Sequence, residues 1–465
     1  MEYDHSVFIS PFTWRYGSDE MKRIFSEEHK RKLLRRVWIA LAGAEMKAGL
    51  VTKEQLDELI AHKDDIDIDR ASQIESVIHH DLMAEIKAYA EECPTAGAVI
   101  HLGATSMDAL DNADAVRFKE ALILIKEHLD EVISALAEKT EETKETLTMA
   151  FTHIQPAEVT TIGYRLAQTL QDLLDDREDL VLMTERIRGK GMKGAVGTSA
   201  SYSTLTEGSG ITAMDIEKDV MDELGIKAFD AATQIYTRKQ DLRIMETLSN
   251  IACTLHKFSQ DFRVLQSPPV GEFSEPFSSM QVGSSAMPFK RNPILSEKIC
   301  SLARIVEEGV SVAWQNAAST FLERTLDDSA SRRIFIPESF LALDEMLVTE
   351  KKVVEGMQIH SSATKRLLDN YAVFASTERL LMELGKKGAD RQLMHEEIRK
   401  ESLKAWALVQ EGKPNPLKDE LTANSMILKY LTKEEIAAAL DASSYTGDAV
   451  RRTDLVLERA EKVLH

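Results

Sequence analysis

Residues 238–266 read RKQDLRIMETLSNIACTLHKFSQDFRVLQ, a run with no glycine or proline. Leu242, Met245, Leu248, Ala252, Leu255, Phe262 and Leu265 recur at helical spacing, so one face of a helix is apolar along the whole stretch. A stripe this long belongs to a bundle rather than to an ordinary surface helix. Leu129, Val132, Ile133 and Leu136 form another such face, and residues 294–308 and 338–359 read as further helices. Alternating strand patterns are rare. The spacing therefore predicts an all-α bundle core with shorter helical segments at both ends. No internal repeat is evident, and Lys386-Lys387-Gly388 and Gly412-Lys413-Pro414-Asn415-Pro416 read as turns.

The helical rule breaks directly after that run. Residues 267–293 hold five of the eleven prolines, with six serines and two glycines. A loop this long between two helices is either a functional lid or a tolerated surface insertion. Its end, Asn292-Pro293 before Ile294-Leu295-Ser296-Glu297, reads as an N-cap followed by proline at the first helical position. The loop thus leads into a helix N-terminus, a natural place for an anion.

Composition narrows the setting. A chain of 465 residues buries a large core without staples. Cys93, Cys253 and Cys300 are far apart, which predicts reduced thiols in a cytoplasmic protein and neither a disulfide framework nor a zinc site. Met1-Glu2-Tyr3-Asp4-His5 lacks the features of a signal peptide, and no apolar run is long enough for a membrane span. The net charge of −20 argues against general nucleic-acid binding, though a cleft can still hold positive charge for a small anion. No phosphate-loop or dinucleotide glycine pattern appears, and no cofactor or metal is expected. His79-His80 might suggest a metal, but neighbouring residues on a helix point about 100° apart.

The segment Gly283-Ser284-Ser285-Ala286-Met287-Pro288-Phe289-Lys290-Arg291-Asn292-Pro293 holds a suitable kit for abstracting a proton next to a carboxylate. Removing a proton next to a carboxylate requires stabilisation of the charge that builds there. A lysine, an asparagine amide and loop N–H groups can supply it, and a serine alkoxide can act as the base where cations lower its pKa. Each residue also has a plain reading: turn serines, a solvated lysine, a capping asparagine.

This segment resembles the signature loop of the fumarase/aspartase superfamily. The likeness continues through Arg15-Tyr16, Glu20-Met21, Ile24-Phe25-Ser26, His80-Asp81, His101-Leu102-Gly103-Ala104-Thr105-Ser106 and Phe151-Thr152-His153-Ile154-Gln155-Pro156-Ala157. It extends to Gln234-Ile235-Tyr236-Thr237-Arg238-Lys239, Glu323-Arg324-Thr325-Leu326-Asp327-Asp328-Ser329 and Arg332-Arg333. The resemblance points to the branch that releases fumarate from adenylosuccinate, giving AMP, and from succinyl-aminoimidazole-carboxamide ribotide. It implies Ser284 as the base and His153 as the acid, with Lys290 and Asn292 holding the carboxylate that becomes an aci-carboxylate. Thr105, Ser106, Thr152 and Gln234 would orient the succinyl group. Arg15, Tyr16, Arg324, Ser329 and Arg333 would bind the phosphate and nearby groups, and His80 and Asp81 would line the purine side and assist His153.

Some assignments have independent physical support. His153 follows Thr152 in a polar break between two helical segments, and imidazole titrates where a proton donor at neutral pH must. Paired guanidinium forks suit a phosphate, although Arg324 and Arg333 could equally pair with Asp327 and Asp328. Two positions depart from the pattern: Lys298 and His79 stand where arginine is usual, and a lysine is a point charge rather than a fork.

The expected organisation is a helical N-terminal domain over 1–104, a central long-helix bundle with the signature loop over 105–359, and a helical C-terminal domain over 360–465. The resemblance further implies a homotetramer whose active sites draw on several subunits, acting on a small nucleotide. The rivals are another lyase of the superfamily, such as argininosuccinate lyase or a carboxymuconate cycloisomerase, and a non-catalytic structural relative. The phosphate-side residues discriminate against the first, and the intact Ser284, Lys290, Asn292 and His153 against the second.

Overall fold

The computed structural model describes residues 6–278 and 280–464; the reading of Met1–His5 lies outside them. The architecture is all-α. Six long helices dominate the described residues: Ser106–Thr143, Ile162–Arg186, Lys239–Gln266, Ile294–Ala318, Asp327–Gly356 and Ser361–Lys386. At about 1.5 Å per residue the first is about 57 Å long. Both predicted stripes are buried, from Leu129 through Leu136 and from Leu242 through Leu265. Gly309 shows how closely the helices approach: a Cβ there would lie 2.6 Å from Ser339 Oγ and 3.4 Å from the Met245 sulfur. Glycine at that point lets three long helices meet.

The chain divides into two compact units, each assembled from three separate stretches. The first comprises residues 1–129, 176–253 and 301–348, the second 130–175, 254–300 and 349–465. Every border between them falls inside one of the first five of these long helices.

In the first unit, helix Glu27–Lys47 starts at Ser26, whose hydroxyl accepts the His29 N–H at 3.1 Å. It buries Leu33, Leu34, Val37, Trp38 and Leu41, and packs against helix Ala213–Leu224. In the second unit, helices Ser361–Lys386, Arg391–Gln410, Leu417–Ala423 and Lys433–Ala439 close around Leu380, Leu384, Met394, Leu417, Leu421 and Ile436. Among the described residues no helix is long and apolar enough to cross a membrane.

Three details differ from the sequence reading. The helix expected over 338–359 begins at Asp327 and runs through Pro337 to Gly356. A proline removes one helical hydrogen bond, and this helix absorbs that loss in its interior instead of ending there. The segments flanking His153 are strands: Leu147–Thr152 pairs antiparallel with Gln155–Thr161, with a register shift between Met149 and Phe151. Met149 and Val159 of this hairpin pack with Leu367, so tertiary burial selects strand where the sequence shows no clean alternation. His79 and His80 do not share a helix. His79 ends helix Ile68–Ile78 in the left-handed region, and His80 caps the next one, Asp81–Glu92.

Candidate active site

The nominated residues fall into two groups, one in each unit. In the first unit Arg324, Ser329 and Arg333 line one cavity of about 120 Å³. Lys30, Arg117, Arg238 and Arg332 also stand in its wall, with Glu27, Asp114 and Asp328, so cations outnumber carboxylates there. Arg324 Nη1 donates to Asp328 Oδ1 at 2.7 Å, the pairing that the sequence left open. Arg333 takes another partner, Asp81, with Nη2 at 2.7 Å from Oδ2. Burial opposes the charge on Asp81, but Arg333 and the Leu82 N–H hold its carboxyl below the usual value.

The other residues of this group stand outside the wall of that cavity. Arg15 and Tyr16 follow the short helix Pro11–Trp14, with Arg15 Nε 3.3 Å from the Tyr16 hydroxyl. The next turn is pinned to helix Asp327–Gly356, where Glu345 Oε2 accepts from Gly17 N at 3.0 Å and Asp344 Oδ2 from Ser18 N at 2.5 Å. His80 Nδ1 accepts the Met83 N–H at 3.3 Å, so its ring caps the helix that Asp81 opens. Thr105 and Ser106 open helix Ser106–Thr143. Asp108, the third residue of that helix, ties down Thr105. Its Oδ2 accepts from Thr105 N at 2.9 Å, and its Oδ1 is 2.5 Å from Lys190 Nζ, an ion pair with both side chains fully buried. Gln234 lies in a bend before helix Lys239–Gln266, and its N–H donates to the Glu323 carbonyl at 3.3 Å.

In the second unit Thr152 and Gln155 close the hairpin around a two-residue turn, His153-Ile154. Both turn residues have positive φ, +54° and +60°, and both are exposed. Two positive φ values are the mark of the hairpin turn that asparagine-glycine ordinarily fills. The hairpin is fastened to the 267–293 loop by the fully buried Glu272. Its carboxylate accepts from the Thr148 hydroxyl and, at 3.0 Å, from Arg165 Nη1, while Arg165 Nη2 donates to the Met149 carbonyl at 2.5 Å.

That loop is locally ordered around Ser284, whose Oγ accepts from Ala286 N at 3.3 Å and Met287 N at 3.1 Å. The turn-serine reading is therefore correct as far as it goes. It is also compatible with a base, because two N–H groups aimed at the oxygen favour its alkoxide. Asn292 Nδ2 donates to the Gly283 carbonyl at 3.2 Å, which draws the loop's ends together. The ends are so close that a Cβ on Gly283 would lie 2.0 Å from the Lys290 carbonyl oxygen, so only glycine fits. Lys290 is exposed, and Lys298 is half-buried in the second turn of helix Ile294–Ala318.

The expected cap at Asn292 is not what holds this helix. Asn292 lies one residue too early, and the N-terminus is taken by Glu275, which accepts from Leu295 N at 3.1 Å and Ser296 N at 2.7 Å. The anion foreseen at the helix N-terminus is thus supplied by the loop itself. Sequence reasoning missed Glu275 because it stands twenty residues from its partner.

Two further points bear on the chemistry. His101, within the matched stretch, is pushed down to about 4 by burial and accepts the Trp38 indole N–H at 3.0 Å, which gives it a packing role. Among the described residues, His62, Asp65 and Glu92 bring ligand atoms within 4.8 Å of one another, and this group includes none of the nominated residues.

Comparison with known proteins decides the family. Residues 15–307 match a family model described as Lyase, and residues 374–456 one described as Adenylosuccinate lyase C-terminus. A curated relative from Schistosoma mansoni, named adenylosuccinate lyase, is 38% identical over 97% of this chain and 94% of its own. Relatives of the same name from Saccharomyces cerevisiae and Pyrococcus abyssi are 36% and 37% identical, each over 98% of this chain and over 95% and 98% of their own.

This chain belongs to the adenylosuccinate lyase family.

It is a lyase, and the fumarase/aspartase resemblance read from its loop is correct. The fold also matches solved structures of more distant superfamily members. The 3-carboxy-cis,cis-muconate lactonizing enzyme of Pseudomonas putida aligns with a TM-score of 0.87 at 23% identity, over 98% of this chain and 99% of that one. The fumarate lyase of Mesorhizobium sp. BNC1 aligns with a TM-score of 0.84 at 21% identity, over 97% and 99%. At such identities these two bear on fold alone. Identity with the adenylosuccinate lyases separates the chain from these other branches.

Proposed function

We propose that the protein cleaves adenylosuccinate to AMP and fumarate, and the succinyl-aminoimidazole-carboxamide ribotide to its amide and fumarate. The observation that carries this reading is the wall of the cavity holding Arg324, Ser329 and Arg333, where six cations face three carboxylates, in a chain 38% identical to a relative named for that substrate. A lyase acting on a substrate without phosphate has no need of such a wall. In this reaction Ser284 removes the succinyl β-proton, and that electron pair becomes the C=C bond of fumarate. The C–N bond breaks, and the leaving nitrogen takes a proton from His153. Lys290 and Asn292 stabilise the aci-carboxylate. Thr105, Ser106, Thr152 and Gln234 orient the succinyl group, with Lys298 nearby in sequence to the carboxylate clamp. Arg15 and Tyr16 join the phosphate group, and His80 and Asp81 face the purine.

The same reading keeps the division at 104/105 and 359/360, and makes the protein a cytoplasmic homotetramer with sites shared between subunits. Supplying adenylosuccinate and argininosuccinate separately and recording fumarate tests the substrate: no fumarate from adenylosuccinate removes the proposal. Mixing inactive Ser284→Ala and His153→Ala proteins tests sharing. Activity regained on mixing is expected, and none is expected if each chain holds a complete site.

A further inference from the structure

The side chain of Arg238 is 1% exposed and bridges two carboxylates. Nε donates to Asp328 Oδ2 at 2.6 Å and Nη1 to Asp111 Oδ1 at 3.0 Å. Each carboxylate has a second partner. Asp328 Oδ1 accepts from Arg324 Nη1 at 2.7 Å, and Ser329 is the next residue along. Asp111 Oδ2 accepts the Tyr236 N–H at 2.9 Å, two residues after Gln234, and Asp111 itself lies in the helix that opens at Ser106. The guanidinium carbon also sits 4.7 Å from the centre of the Tyr236 ring. One planar fork therefore joins three stretches of the first unit: the one with Thr105 and Ser106, the one with Gln234, and the one with Arg324 and Ser329. A guanidinium fixes both distance and angle between its partners, which a flexible ammonium cannot. Burial and Arg332 oppose its charge, and Asp111 with its neighbours outweighs them, so its pKa is raised.

We infer that Arg238 is a positioning residue that sets the span between the phosphate-binding group, Arg324 and Ser329, and the succinyl-orienting group, Thr105, Ser106 and Gln234. It thereby selects ligands in which a phosphate and a succinyl group are joined at one fixed separation. The inference rests on the substrate reading above. A ligand that reaches only one end does not sense the span, because Asp328 still holds Arg324 and Asp108 still holds Thr105 when Arg238 is changed.

The test compares the whole chain with Arg238→Lys and with the double variant Asp111→Asn/Arg238→Gln. The double variant removes one charge of each sign and so leaves no new unpaired carboxylate at Asp111, which keeps a folded protein available for the readout. Wild type is assayed first; if it releases no fumarate from adenylosuccinate, the substrate reading fails and this inference falls with it. With active wild type, kcat/KM for adenylosuccinate should drop about 10²-fold in both variants, while the inhibition constants of AMP and of fumarate stay within about threefold. A parallel loss for adenylosuccinate, AMP and fumarate would assign Arg238 a merely structural role and overturn the inference. Unchanged kcat/KM would overturn it equally.

Discussion

Glu275 takes both polar hydrogens of Ser296. Its Oε1 accepts the backbone N–H at 2.7 Å and the hydroxyl at 2.6 Å, and Oε2 accepts the Leu295 N–H at 3.1 Å. A buried carboxylate thereby fixes the end of the loop that carries Ser284 to the start of helix Ile294–Ala318. Gln266 completes the clamp, with Oε1 accepting from Glu275 N at 2.9 Å and Nε2 donating to the Arg291 carbonyl at 3.2 Å.

Replacing Glu275 with alanine leaves these donors without an acceptor. Hydrogen bonds to a charged group contribute about 1.5–3 kcal/mol each, shared here over one capping site, so a net loss of about 2–3 kcal/mol is expected. Urea unfolding measures the loss, and faster proteolysis within 283–293 should accompany it. Unchanged stability would mean that the clamp is incidental.

Ser284→Ala separates the turn role from the chemical one. The hydroxyl accepts two backbone N–H groups at a partly exposed site, so stability should change by less than about 1 kcal/mol. Activity should fall by about 10²–10⁴-fold if the oxygen is the base. Full activity in a folded Ser284→Ala protein would remove it from that role.

Ile154 occupies the left-handed region at φ +60° with its side chain 73% exposed. A β-branched residue there costs about 1–2 kcal/mol, and little packing is lost on removing it. Ile154→Gly should therefore stabilise the protein by about 1 kcal/mol in equilibrium unfolding, after allowing for glycine's greater freedom in the unfolded chain. A lower kcat in the same variant would indicate that the strained turn aims His153.

Glu350 is buried, with Ser259 Oγ donating to Oε2 at 3.1 Å and Oε1 lacking a partner. Burial pushes its carboxyl up to about 8 from an ordinary 4.5. The folded protein thus keeps a proton that the unfolded chain releases above pH 4.5. The contribution to stability is complete below that pH, declines as pH rises, and is lost above about 8. Glu350→Gln keeps the neutral shape, so it should match wild type near pH 4.5 and exceed it at pH 8–9 in unfolding measured across that range. A constant difference at every pH would contradict the shift.

Periodicity located the long helices well, because a buried helical face repeats within one stretch of chain, as Leu242 through Leu265 do. It failed at the hairpin of residues 147–161, whose strand state depends on packing against Leu367 far along the chain. It also misjudged Pro337, since the cost of a proline inside a helix is set against tertiary contacts that a local rule does not contain. The site divides in the same way. Ser284, Lys290 and His153 could be nominated from the sequence because their motifs are contiguous. Glu275, Glu272, Asp108 and Arg238 were not, because each acts on a partner that is distant or becomes adjacent only on folding.

The sequence by itself determined the helical class, the superfamily and the candidate loop Gly283–Pro293, all of which reside in short-range spacing and contiguous motifs. Only the tertiary structure decided which carboxylates answer which cations and donors: Asp328 for Arg324, Asp81 for Arg333, Glu275 for the helix N-terminus, and Asp111 with Asp328 for Arg238. The physical reason is that charge carries no periodicity. With 77 acidic and 57 basic side chains, very many pairings are open to the unfolded chain, and close packing selects the few whose desolvation is met by geometry.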